Sequence, residues 1–320
     1  MIGNRREHEG ETGRVSDAGR AGLPSVAVVT DAAAGLPDDL RARLEDEHGL
    51  TVLDLPVTVD GSPLPPGPPA ALELALAAGR SVATSRPSPG AVDAVYRRLA
   101  DAGHDHIVSI HLSAGLSGTV DSARWAAGRV PVPVSVIDSG TAGMALGFAV
   151  RDACAAAAAG ARPTDVAAAA RRASERHRVR FYVPSLETLR KGGRVGGAAA
   201  WIGGVLAIKP LLEIDDGVVV PVERIRSAAR AVRRLEALAV ADLAALPPSA
   251  GRECAVHHFG NVAEAEELAQ RLSEQTGVRP LVSRLPSVLA AHVGLGVLGV
   301  VTGGSSDAAG SPSPGTSTHG

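Results

Sequence analysis

Four short apolar runs, SVAVVTD (25–31), LTVLDLPVTVD (50–60), HIVSIHL (106–112) and VPVSVID (132–138), alternate with stretches of helical spacing. Strands that are apolar throughout and separated by helices form a parallel sheet covered on both faces. The polar loops beyond such strands then gather along one edge, where open α/β sheets bind their ligands. Here those loops are Thr30 and Asp31, TSRPSPG (84–90), SAGLSGT (113–119) and DSGTAG (138–143). They offer hydroxyls and backbone N–H groups with few charges. Helices that begin just after them add a dipole favourable to an oxyanion.

A chain of 320 residues exceeds what one hydrophobic core usually serves, so two domains are expected. Residues 1–23 are polar and glycine-rich and read as a disordered extension; 303–320 are low-complexity and read as a disordered tail. Between them, 24–160 form an N-terminal α/β domain with a parallel sheet, and 161–302 a C-terminal α/β domain with a mixed sheet. Helices are expected over 37–48, 91–102 and 116–128, with Ser88 and Pro89 as a helix start. The second domain opens with a helix over 163–178 and a strand at VRFYV (179–183). PSLETLRKGG (184–193) reads as a helix ended by glycine, and 206–225 as two strands around an Asp-Gly hairpin turn. A long helix, two further strand–helix pairs and a last strand near GVLGVVT (296–302) complete it.

Several function classes are excluded. Net charge is −2, no basic block occurs and aromatic residues make up 2%, which removes both the electrostatic footprint and the stacking platforms of a nucleic-acid binder. The longest apolar runs, 195–208 and 288–301, fall short of a ~20-residue membrane span. The N-terminus is charged where a secretory signal carries an apolar core, so a cytoplasmic location is expected. Cys154 and Cys254 match no metal or redox spacing and read as reduced, buried thiols. No phosphate-binding loop is present, and no cofactor is expected. The HDH at 104–106 has no carboxylates behind it, and His257 and His258, adjacent on a strand, point to opposite faces.

A serine nucleophile at Ser113 or Ser117, with His292 as base, is one candidate chemistry. The elbow pattern G-x-S-x-G is missing around both serines. What remains is a set of hydroxyl loops, an embedded histidine, an arginine after a glycine pair and much small apolar sequence. The only two lysines, Lys191 and Lys209, lie in the same segment as that arginine, Arg194. Such a set suits an amphipathic anion, whose tail contributes ~0.8 kcal/mol per buried methylene.

VVTDAAAGLP, TSRPSPG, LSAGLSGTVDSA, VIDSGTAGMALG, LETLRKGGRV, IKPLLEIDDGVVVPVERIR and AHVGLG stand in this order along the chain. Together they resemble the DegV family of bacterial fatty-acid-binding proteins over about 26–301. The resemblance implies a two-domain α/β fold with a long-chain fatty acid (C14–C18) in a tunnel between the domains, its carboxylate held by Thr84, Ser85, Ser117 and His292. It implies further that Arg194 lies near the tunnel mouth and serves a partner, an ATP-dependent fatty acid kinase subunit, which converts the bound acid to an acyl phosphate for phospholipid synthesis. The chain itself is then a non-enzymatic carrier, in peripheral contact with membrane for lipid exchange. Two positions depart from the family pattern: Arg86 stands where glutamine is usual, and HVGLG where H-T-G-P-G is usual. The competing readings are a serine-dependent acyl hydrolase using Ser117 and His292, an enzyme on the related dihydroxyacetone-kinase-like scaffold, and a lipid-sensing module without a kinase.

Overall fold

The computed structural model describes residues 25–64, 70–201, 208–247 and 249–305. The extension expected at 1–23, and residues 306–320 of the tail expected at 303–320, lie outside these residues. The chain begins with β1 (Val26–Asp31), α1 (Asp38–His48), β2 (Thr51–Leu53), β3 (Val57–Val59), β4 (Ser62–Pro63), α2 (Ala70–Ala77) and β5 (Val82–Thr84). It continues through α3 (Pro89–Asp101), β6 (His106–His111), α4 (Thr119–Ala127), β7 (Val134–Asp138), α5 (Met144–Ala158) and α6 (Pro163–Arg176). Strands β2, β1, β6 and β7 make a four-stranded sheet in that order, parallel throughout as the apolar runs require.

The expected single strand at 50–60 is two. Pro56 has no N–H to give to a ladder, and the chain turns there out of the parallel sheet. Strand β3 instead pairs antiparallel with β4 and β5 in a separate three-stranded sheet. Asp60 and Gly61, both at positive φ (49° and 78°), form the tight turn between β3 and β4. Helix α3 starts as the sequence indicates: the Ser88 hydroxyl accepts from the N–H of Ala91 at 3.1 Å, and Pro89 follows it.

The second half holds β8 (Arg178–Tyr182), α7 (Glu187–Lys191), β9 (Lys209–Asp215), β10 (Val218–Ile225), α8 (Ala228–Ala245), β11 (Gly251–His258), α9 (Val262–Thr276), β12 (Leu281–Arg284), α10 (Ser287–Val293) and β13 (Leu298–Ser305). Its sheet runs β10-β9-β8-β13-β11-β12 and is mixed, only β11 and β12 being parallel. Asp216 and Gly217, at φ 45° and 76°, close the β9–β10 hairpin as expected.

Helix α6, which the sequence assigns to the second domain, packs along α5 and touches β6 and β7 of the first sheet and β13 of the second. Buried alanines on both helices, Ala153 and Ala157 facing the layer of Ala167 and Ala170, let the two come close. Strand β13 runs three residues past Thr302, pairing as far as Ser305 with Gly251, so 303–305 are not part of a disordered tail. The glycine there serves close approach: a β-carbon at Gly303 would stand 2.3 Å from the ring of His177. One apolar core extends from Val26 and Ile110 through Met144 and Phe148 of α5 to Phe181 and Val301 of the second sheet. Among the described residues no helix is long and apolar enough to cross a membrane.

Candidate ligand site between the sheets

A cavity of about 390 Å³ lies where the loops beyond β6 and β7 meet β5, the second sheet and α10. That volume falls within the ~300–1,000 Å³ usual for small-molecule sites. Its walls are apolar, with Leu112, Leu116, Phe181, Val219, Val288 and Val297 prominent. Its polar groups include Thr84, Ser85, Arg86, Ser117, Arg194 and His292, and no Asp or Glu is among its described lining residues. All five residues singled out by sequence are therefore brought together.

Each is placed by a distinct local device. Pro56 turns the chain so that β5 ends at Thr84, and the N–H of Ser85 donates to the Pro56 carbonyl at 3.0 Å. The Thr84 hydroxyl and His292 Nε2 share a hydrogen bond of 2.8 Å. Burial, followed by the nearby Arg194 guanidinium, pushes the His292 pKa down to about 4, so the imidazole is neutral near pH 7. Its Nδ1 is buried with no partner and faces Gly192, whose missing side chain makes room for the ring. Arg194 donates from Nε to the Leu116 carbonyl at 3.1 Å and from Nη1 to the Gly192 carbonyl. These bonds fix the guanidinium over the 113–119 loop. Ser117 does not cap α4, whose first flanking residue is Gly118; its hydroxyl lies 2.9 Å from that of Thr119.

His257 also lines the cavity, where the sequence marks only its place on a strand opposite His258. Its Nδ1 donates to the Ser283 carbonyl at 3.3 Å, and its Nε2 accepts from the N–H of Met144 at 2.8 Å. Complete burial pushes its pKa down to about 4. Gly35 and Gly143 approach the ring so closely that a β-carbon on either would stand 2.9 Å from it. The histidine pair was legible, but its contact with two distant glycine turns was not.

Other candidates fall elsewhere. Asp31 is fully buried and accepts from the N–H groups of Ala33 and Leu112 and from His111, each at 3.0 Å; it holds the turn after β6 and does not line the cavity. Ser113 donates to the Gly217 carbonyl at 2.6 Å, outside the cavity. Lys191 pairs with Glu187 at 3.0 Å and Lys209 donates to the Pro184 carbonyl at 2.9 Å, so the shared segment of the two lysines reflects no common site. Cys154 and Cys254 are buried thiols in separate cores, with pKa raised to about 12 by burial.

Comparison with known proteins identifies the family. The sequence profile of the DegV family, described as uncharacterised proteins, matches residues 25–303. A DegV domain-containing protein of Streptomyces coelicolor is 43% identical over 281 residues, covering 86% of this chain and 97% of that protein. Among solved structures, a DegV family protein from Thermus thermophilus, described by its fatty acid binding, superposes with a TM-score of 0.78 at 32% identity, covering 87% of this chain and 99% of that one. The fatty-acid-binding DegV of Bacillus subtilis gives the same TM-score at 29% identity, with the same coverage. By profile, sequence and fold, the chain belongs to the DegV family.

Proposed function

We propose that this protein carries a long-chain fatty acid (C14–C18) and presents its carboxylate to an ATP-dependent kinase subunit. The observation that carries the reading is the division of one cavity into hydroxyl, imidazole and guanidinium groups on one side and apolar walls on the other, without a carboxylate among the described lining residues. About a dozen buried methylenes contribute roughly 10 kcal/mol, enough to exceed the several kcal/mol that association costs. The fatty-acid-binding relatives from Thermus thermophilus and Bacillus subtilis support the same ligand class.

In this reading the Thr84 and Ser117 hydroxyls donate to the carboxylate. The Thr84 oxygen in turn accepts from the N–H on His292 Nε2, which keeps its own proton aimed at the acid. Ser85 adds a hydroxyl at the exposed rim, and Arg194 supplies the compensating charge. A kinase subunit brings ATP; a carboxylate oxygen takes the γ-phosphoryl group, giving acyl phosphate and ADP. The hydrolase reading needs a serine bonded to a base that a third group orients. Here His292 bonds Thr84, and its Nδ1 has no acidic partner.

Denaturing extraction and mass spectrometry of the purified protein test the reading. One fatty acid per chain is expected, depleted in Ser117→Ala and His292→Ala, with acyl phosphate formed only when kinase subunit and ATP are added. An empty protein that cleaves an ester reporter by itself, and loses that activity in Ser117→Ala, would overturn it in favour of the hydrolase.

A further inference from the structure

The mouth of the cavity carries two guanidinium groups, which is one more than a monocarboxylate needs. Arg194 is held by two backbone carbonyls. Arg86 forms no hydrogen bond or ion pair with any described residue, yet its position is built. The loop is pinned on both sides of it: the Ser85 N–H donates to Pro56 O, and the buried Ser122 hydroxyl donates to Pro87 O at 2.9 Å. Just beyond, Ser88 caps α3. The side chain itself crosses over Gly118, where a β-carbon would stand 2.9 Å from Nη1 and 3.0 Å from Cδ. A β-carbon at 118 would require the arginine side chain to shift. Arg86 is exposed, and the pinned loop with a guanidinium that no described residue pairs leaves it available to a ligand at the cavity wall.

We propose that Arg86 sets the charge of the head group this site prefers: with Arg194 it fits a dianionic, single-chain phosphorylated amphiphile, an alkyl or acyl phosphate, better than the parent carboxylate. Arginine pairs with phosphate oxygens in a two-pronged geometry, and the two guanidinium groups balance both charges of the dianion. With no acidic lining residue among those described, neither arginine is neutralised from within the cavity. The inference rests on the carrier reading above and adds to it that the protein holds the phosphorylated form of its cargo more firmly than the free acid.

The test is calorimetric titration of the full chain, stripped of lipid, with hexadecyl phosphate and with palmitate at pH 8, where a phosphate monoester is above its second pKa of about 6. The wild type is expected to bind the phosphate about tenfold more tightly, the equivalent of one charge-assisted contact. In Arg86→Gln that ratio falls to near unity, while Arg86→Lys, which keeps the charge, retains most of it. Equal affinities in the wild type, or an unchanged ratio in Arg86→Gln, would overturn the role of Arg86 and leave the carrier intact. If the wild type binds neither amphiphile, the carrier reading falls, and this inference with it.

Discussion

Replacing Gly192 by alanine isolates the position of one imidazole. Gly192 has φ −75° and ψ −8°, a right-handed conformation that alanine adopts without backbone strain. The whole penalty is therefore steric: the new β-carbon would stand 2.3 Å from His292 Nδ1, 3.0 Å from its Cε1 and 3.4 Å from the Thr188 carbonyl oxygen. The ring must retreat by about 1 Å to reach ordinary contact, which stretches its 2.8 Å bond to Thr84 beyond the range of a hydrogen bond. A hydrogen bond that supports a charged group is worth ~1.5–3 kcal/mol, so fatty-acid affinity should fall roughly 10- to 100-fold. Thermal stability should fall by no more than the crowding cost, ~1–3 kcal/mol, since the backbone at this C-cap is one alanine adopts. Displacement of a fluorescent fatty acid measures the affinity, and a melt measures the stability. In a His292→Ala background the penalty should vanish. Wild-type affinity in Gly192→Ala, or a penalty that persists without the imidazole, would refute the reasoning.

Two further outcomes are expected from the same geometry. His257 and His292 both have folded-state pKa values near 4 against 6.5 when free, so between these values the unfolded chain binds more protons than the folded one. Stability is then fully present above pH 6.5 and is lost as pH falls towards 4, by roughly 3 kcal/mol for His257 alone; urea unfolding at pH 7.5 and 4.5 should show this, and His257→Gln should flatten the dependence. Ser113→Ala removes the 2.6 Å bond to the Gly217 carbonyl and leaves that buried oxygen unpaired, at a cost of about 1–3 kcal/mol read from the urea midpoint; a change within error would mean that the bond does not hold the hairpin.

The sequence carried those parts of the structure that depend on near neighbours. Apolar runs with helical spacers foretold the parallel sheet, Ser88 with Pro89 foretold the start of α3, and Asp216-Gly217 foretold the hairpin. The loops bearing Thr84, Ser85 and Ser117 were recognisable because their motifs are local. Distance in sequence hid the rest. Thr84 and His292 are 208 positions apart, and nothing near either residue announces the bond between them. Strands β3, β4 and β5 have three, two and three residues, too few for a period to show, and Pro56 was the only mark of the break. Alanine-rich faces let α6 pack along α5 while it touches both sheets. At 303–305, glycine and serine have the composition of a tail but the function of a strand, because the nearby His177 ring excludes side chains.

Bonds in and beside the cavity cross from one half of the chain to the other. Ser113 reaches the hairpin at Gly217, the Met144 N–H reaches His257, the Ser283 hydroxyl reaches the Gly35 carbonyl at 2.7 Å, and Thr84 reaches His292. Most of these leave both partners satisfied, as a buried polar group requires. His292 Nδ1 is the exception among the cavity's lining residues: a buried nitrogen without a partner, beside a glycine. Leaving such an atom unpaired costs about 1–3 kcal/mol, and a carboxylate in that place would have removed the cost. It would also have raised the pKa of the imidazole and readied it to accept a proton. With a glycine there instead, and Arg194 nearby, the ring stays neutral and steers the hydroxyl of Thr84. Among the described residues no acid orients the imidazole, which suits the anion-holding role proposed above better than that of a hydrolytic base.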